Sequence, residues 1–152
     1  MRIKLDVDMR NLQRSLKKLG QVPQKHVTAS ARKGMNIVLK EARVKAPYET
    51  GALKKGMKLQ GERSRYKGKK VYKIIFDPAM NHIFQKKNQA GEIVAYYPVS
   101  QEYGYFTKNG KYIPGFRFIH NSLANNAQKM ERTIITTMKQ KIDAEIRKVG
   151  LK

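Results

Sequence analysis

Three histidines, His26, His82 and His120, are the side chains best suited to general acid–base or metal chemistry. His26 falls in a helical pattern, His82 in a β-prone stretch, and His120 at the start of a second helical pattern. None has a carboxylate or another histidine three or four residues on, the spacing that places two ligands on one helix face. The chain has no Cys, which removes disulfides, thiolate zinc sites and cysteine nucleophiles together. Glu41 and Glu49 stand apart from other acids, and Asp143 and Glu145 sit in a Lys-rich stretch where ion pairing is their ordinary role. Gly51, Gly56 and Gly61 recur every five residues, which is neither a P-loop nor a dinucleotide-binding spacing. The expectation is a protein with no catalytic residues, no metal and no cofactor, and so not an enzyme.

One cluster remains with a clear physical capacity. Residues 54–73 hold Lys54, Lys55, Lys58, Arg63, Arg65, Lys67, Lys69, Lys70 and Lys73 against one acid, Glu62. Three readings stay open: solvated strand and loop residues, contact with phosphates, or contact with an acidic protein neighbour. Lysine dominates over arginine, which favours diffuse phosphate attraction over bidentate reading of bases. Tyr66, Tyr72, Tyr96 and Tyr97 lie nearby and are expected to pack in a core or interface rather than stack on bases. The cluster is part of a wider excess: 33 Lys and Arg against 11 Asp and Glu in 152 residues, a formal charge of +22. That excess points to a polyanionic partner. A hydrophobic share of 40% is enough for a core. No apolar run reaches the ~20 residues of a membrane span, and Met1–Asp6 shows no apolar signal segment. A cytosolic chain with no membrane partner is expected.

The elements that carry these residues can be read from periodicity. Ile3, Leu5 and Val7 alternate as in a short strand. Met9, Leu12, Leu16 and Leu19 predict a first helix, capped by Asp8 and ended by Gly20 and Val22-Pro23. A second helix is expected from about Gln24 to Lys45, with Val27, Ala31, Met35, Val38 and Ala42 as its apolar stripe. Its small residues Ala31, Gly34 and Ala42 would admit a close neighbour. Strands are expected at about 56–62 and 70–77, on both sides of Asn88–Gly91, and around Asn109-Gly110. The chain ends in a long helix from about Arg117 to Val149, striped by Ile119, Leu123, Ala127, Met130, Ile134, Met138, Ile142 and Ile146. That helix is longer than a small domain is expected to cover, so part of it should pack on another subunit or fray. The fold class is α+β: a small antiparallel β-sheet packed with two N-terminal helices and one long C-terminal helix. A single domain spans 1–152, with helices at about 8–46, sheet at about 54–115 and the last helix at about 117–149.

Ala42-Arg43-Val44-Lys45-Ala46-Pro47-Tyr48-Glu49-Thr50-Gly51-Ala52-Leu53 resembles the signature of the neck and tail-completion family of long-tailed bacteriophages. In that family a helix rich in small residues ends in a pattern close to A-K-x-x-A-P-x-x-T-G-x-L. Ala46, Pro47, Thr50, Gly51 and Leu53 match it. A second mark is a Tyr-rich strand running into Glu-aromatic-Gly, matched by Tyr97, Glu102, Tyr103 and Gly104. A third is an aromatic-Pro-Phe element before a final helix, matched at Pro114-Gly115-Phe116. Residues 78–92 read as an insertion, and Pro98 interrupts the Tyr-rich strand.

Physically, the first mark is a helix-to-strand corner. Pro47 stops the helix, Thr50 bonds locally, Gly51 takes a positive φ, and Leu53 re-enters the core as the first strand residue. Glu102-Tyr103-Gly104 reads as a strand end and turn, with Glu102 free to meet a lysine of a neighbouring subunit. The resemblance implies a non-catalytic virion protein that completes the neck or tail, found in the host cytoplasm during assembly. Its implied partners are other neck and tail proteins: a connector or stopper, and a tail terminator or tube. It also implies a homo-oligomeric ring, hexameric in the family pattern, around the DNA channel. Lys54, Lys55, Lys58, Arg63, Arg65, Lys67, Lys69 and Lys70 would then face DNA without sequence specificity, or an acidic partner. The competing expectation is a nucleic-acid-binding protein unrelated to virions.

Overall fold

The computed structural model describes residues 9–66 and 68–150. The strand expected at residues 2–8 lies outside them. Helix α1 runs from Met9 to Lys45 without interruption. Two N-terminal helices were expected; there is one. Gly20 and Pro23 are local stop signals that cost about 1 and about 3 kcal/mol in a helix interior. Proline removes one backbone donor, but helices are stabilised mainly by what their faces pack against. The partner here is α5, Phe118–Val149, which lies antiparallel along α1. His26 meets Glu145, Gly34 meets Ile134 and Met130, and Glu41 meets Asn126. The side chains of the Met9–Leu19 stripe lie outside the described residues.

Continuity of α1 resolves the length of α5. At ~1.5 Å per residue the helices measure about 55 Å and 48 Å. A helix of that length is a match for α5, so the last helix has a partner within its own chain.

The seam between the two helices keeps Val38 and Ala42 of the expected α1 stripe and elsewhere runs one residue to the N-terminal side of the expected positions. On α1 the buried positions among the described side chains are His26, Ser30, Gly34, Val38, Leu39 and Ala42, while Val27, Ala31 and Met35 are half-buried. On α5 they are Phe118, Ser122, Asn126 and Thr137, while Leu123 and Ala127 are exposed. Small side chains occupy the line of closest approach and bulkier ones flank it. A Cβ at Gly34 would stand 2.6 Å from Ile134 Cγ1, so only glycine admits α5 there. Two polar seam residues of α5, Ser122 and Asn126, bond back into their own helix, and Asn126 also reaches Glu41 of α1. Ser122 Oγ donates to the Phe118 carbonyl at 2.6 Å, and Asn126 Nδ2 donates to the Ser122 carbonyl at 2.8 Å.

Between the long helices the chain forms α2 (Ala52–Gly56), β1 (Met57–Gly61), β2 (Tyr72–Phe76), a 3-10 turn (Pro78–Met80) and α3 (Asn81–Phe84). It continues through β3 (Gln85–Lys87), β4 (Ile93–Tyr96), α4 (Tyr97–Tyr103), β5 (Gly104–Phe106) and β6 (Tyr112–Pro114). The strands pair as three separate antiparallel ladders, β1–β2, β3–β4 and β5–β6. All three pairings match the turn signals in the sequence. His82, expected in a strand, lies in α3, where Asp77 caps the preceding turn by accepting the Ala79 N–H at 3.1 Å.

The core sits where the corner, the hairpins and the start of α5 meet: Leu39, Ala42, Ala52, Leu53, Met57, Phe84 and Phe118. Phe84 is at its centre, edge-on to Phe76 (ring centroids 5.6 Å apart) and to Tyr96 (6.1 Å). Residues 78–92, read as an insertion, therefore supply a central core side chain. An aromatic in a short helix shows no periodicity to mark it as core.

One seam residue carries a pH dependence. His26 is buried, its Nε2 has no hydrogen-bond partner among the described residues, and Glu145 lies 3.9 Å away. Burial is the main cause holding its pKa below the ordinary value, with Lys141, Lys25 and Lys148 adding to the effect and Glu145 opposing it. The neutral ring is the folded form. Its stability is complete above the unfolded value of about 6.5 and is lost as pH falls below it. Thermal melts from pH 7.5 to 5 should show a falling Tm, and His26→Gln should flatten that slope.

Candidate assembly and polyanion-binding surfaces

The corner motif is a helix-to-helix joint rather than the expected helix-to-strand joint. Ala46 still closes α1, its N–H donating to the Ala42 carbonyl at 2.9 Å, and Pro47 follows. Gly51 takes φ +73°, and its carbonyl accepts the Lys55 N–H at 3.1 Å, which starts α2. Thr50 Oγ1 accepts the Ala52 N–H at 3.4 Å. Leu53, 2% exposed, is therefore in α2, and β1 begins four residues later at Met57. A left-handed glycine reverses the chain sharply enough for one helical turn to fit before the strand.

The second motif is also helical. The strand ends at Tyr96, and Pro98 occupies the first turn of α4, where its missing N–H costs no ladder bond. Tyr97 and Glu102 are thus on α4, not on a strand. Tyr97 Oη donates to Glu49 Oε2 at 2.9 Å and ties α4 to the corner. Burial, then the Glu49 hydrogen bond and charge, hold the Tyr97 pKa above its ordinary value. Tyr97→Phe should cost about 1 kcal/mol in urea unfolding. Glu49→Gln made in the Tyr97→Phe background should cost almost nothing more.

Glu102 is buried, and its carboxylate accepts the N–H groups of Ile119 and His120, each at 2.9 Å. It is not free for a lysine of a neighbouring subunit. Helix α5 has no side-chain cap from its own N-cap residue, Arg117, which takes a left-handed φ of 49°. The Glu102 carbonyl accepts the Arg117 N–H at 3.0 Å, and the Gln101 carbonyl accepts the Phe116 N–H at 2.7 Å. Tyr103 is exposed, with the Arg117 guanidinium 5.8 Å from its ring centroid. Gly104 opens β5 directly against Gly115. Sequence reasoning placed these residues in one motif but missed the capping role, because the capped residues lie 17 and 18 positions away.

The basic cluster does not form one surface. Lys58 pairs with Asp77, and Lys73 pairs with Glu62 at 3.2 Å. The Lys58 hydrogen bond and the Ala79 N–H hold the Asp77 pKa below its usual range. Lys54 and Lys55 are exposed on α2, beside Arg43, Tyr48 and Thr50. Arg63, Arg65 and Lys69 line a hollow of about 340 Å³ in the β1–β2 loop with Ser64 and Tyr66. Lys70 lies over the Tyr72 ring and donates to the Glu62 carbonyl. Lys67 lies outside the described residues. Gln24 of α1 pins this loop: its Nε2 donates to Ser64 Oγ at 3.1 Å, and its Oε1 accepts the Gly68 N–H at 2.7 Å.

Large apolar side chains stay exposed on the other two hairpins and the segment joining them to α5. Ile93, Val94, Tyr105, Tyr112, Phe106 and Phe116 range from 47% to 72% exposed. Phe106 and Tyr112 face each other across β5–β6 at 5.2 Å. Among the described residues, no group of three or more His, Asp or Glu is placed to hold a metal ion, and no helix is long and apolar enough to cross a membrane.

Comparison with known proteins agrees with the motif resemblance. Residues 10–107, well over half of the chain, match a family model described as "Bacteriophage HK97-gp10, putative tail-component". The match covers the corner and the Glu-Tyr-Gly motif. No curated protein and no solved structure matches the chain. The chain belongs to the HK97-gp10-like family of bacteriophage tail components.

Proposed function

We propose that this tail component completes the neck or tail and helps join head to tail, as a non-catalytic ring around the DNA channel. The observation that carries the reading is the exposed apolar surface on β4, the β5–β6 hairpin and Phe116. Exposed aromatic and aliphatic side chains gathered in one part of a chain mark protein–protein contact sites. The surface supports contact with copies of the chain and with the adjoining connector, terminator or tube proteins. Basic faces elsewhere support a place beside DNA. A ring about 40 Å tall encloses about 24 phosphates at ~1.7 Å per charge. Six subunits need only about four inward cations each to match them, a number the exposed Arg63, Arg65 and Lys69 of the β1–β2 loop and Lys54 of α2 can supply.

Electron microscopy of the purified protein, alone and with its adjoining tail proteins, tests the ring. Phe106→Ser with Phe116→Ser should abolish rings while leaving a folded monomer. A lysate lacking the protein should accumulate unjoined heads and tails. Normal joined virions in its absence would sink the proposal.

A further inference from the structure

The basic cluster at 54–73 is the denser run of charge, but the helix pair carries the larger total. Together α1 and α5 carry sixteen Lys and Arg against four acids, so they contribute +12 of the total +22, while residues 54–73 contribute +8. The single acid of α1, Glu41, is already engaged by Lys45 and Asn126. An open groove of about 450 Å³ runs along the pair. Its cations are Lys33 from α1 and Lys129 and Arg132 from α5, all exposed. Thr133, Thr136 and Gln140 continue it along α5. No carboxylate and no apolar side chain other than threonine methyls lines it. On α1, Lys33 stands about 140° around the helix from Thr28, whose carbonyl meets Tyr72 of β2. The groove therefore faces away from the β1–β2 hairpin.

We propose that this groove binds the phosphate backbone of duplex DNA, as a site separate from the β1–β2 loop. The choice of DNA rests on the reading above, while the anion-binding character rests on the lining alone. Protein segments dock through apolar or aromatic anchors, and the groove offers none. It has no aromatic ring on which an unpaired base would stack, which disfavours single strands. Three cations followed by hydroxyl and amide groups are what phosphate oxygens take. From Lys129 to Gln140 the helix rises about 16 Å, the length of about five phosphates of one strand at ~3.4 Å each. One arginine among these groups leaves little capacity for bidentate base reading, so binding is independent of sequence.

The test is fluorescence anisotropy of a labelled duplex of about 20 base pairs with the full-length protein, over a salt series. The variant K33Q/K129Q/R132Q is compared with K86Q/K87Q/K108Q, which loses the same charge from exposed positions on β3 and the β5–β6 loop. The groove variant should bind at least about tenfold more weakly, and its log–log salt slope should be shallower by about 2.7, at ~0.9 per phosphate contact. The control should lose less than about threefold. Arg132→Gln alone, a single exposed change, should give a partial loss with an unchanged melting curve. Equal losses in the two triple variants, or none in the groove variant, would overturn the site. Displacement of the duplex by an equally charged poly-glutamate peptide would overturn DNA in favour of an acidic protein. Equally tight, groove-dependent binding of a single strand would overturn the duplex. Groove-dependent duplex binding by a protein that never forms rings would remove the ring and leave the groove standing.

Discussion

Gly104→Ala is expected to destabilise the protein by about 3–5 kcal/mol, read as a large drop in the urea midpoint or as loss of the folded state. Gly104 takes φ +92° and ψ −177°, a region populated almost only by glycine, and strain there costs about 1–3 kcal/mol. Space is the second problem. A Cβ at this position would fall within contact distance of the Ile113 carbonyl oxygen and 2.8 Å from the Gly115 nitrogen. Both are backbone atoms held by the pairing of Gly104 with Pro114, so they cannot move aside without opening β5–β6. Overpacking of this kind adds about 1–3 kcal/mol. Gly110→Ala is the control. It also has a positive φ, 76°, but a Cβ there meets nothing within 4 Å, so about 1 kcal/mol is expected. Equal effects of the two substitutions would show that backbone conformation alone, and not the close approach of Gly104 to Gly115, sets the requirement.

Glu102→Ala is expected to cost about 2–4 kcal/mol. It removes the acceptor of two N–H groups in the first turn of α5, each worth about 1–3 kcal/mol when left unpaired in a buried site. It also removes a negative charge from the positive end of a 32-residue helix. Glu102→Gln keeps one acceptor oxygen and should lose about half as much. Hydrogen exchange separates this effect from general destabilisation: the amides of Ile119 and His120 should lose protection first in Glu102→Ala. A uniform loss across α5 and β1–β2 would refute the capping role. Because α5 is the main partner of α1, a frayed first turn should also loosen Ala42 and Leu39 opposite it.

Both residues were visible in the sequence as parts of a motif; Gly104 is the turn residue expected, while Glu102 has a different job from the one expected. Glu102 was the only acid within nine residues on either side, which drew attention to it but suggested an external partner. Its true partners are backbone amides brought to it by the hairpin between. Tyr97 met Glu49 across 48 positions, a pairing that joins two motifs recognised separately. The basic cluster at 54–73 was legible as charge but not as a surface. Lys58 and Lys73 are engaged by acids, and more of the net charge lies on the long helices.

The sequence by itself determined the features governed by near neighbours. These are the end of α1 before Pro47, the left-handed turn at Gly51, the three hairpins, and the extent of α5. Each depends on backbone sterics or on periodicity within a few residues. Tertiary structure decided the rest. Helix α1 runs through Gly20 and Pro23 although both are local stop signals, and it meets α5 from His26 onward. The seam adds Ser30, Gly34, Ser122 and Asn126 to the expected Val38 and Ala42, because small side chains let two helices approach where large ones do not. The groove of Lys33, Lys129 and Arg132 exists only because that packing brings the two helices side by side. A hydrophobic pattern says that a face will be covered. Which residues lie at the line of contact depends on the shape of the partner, and that is not written in either helix alone.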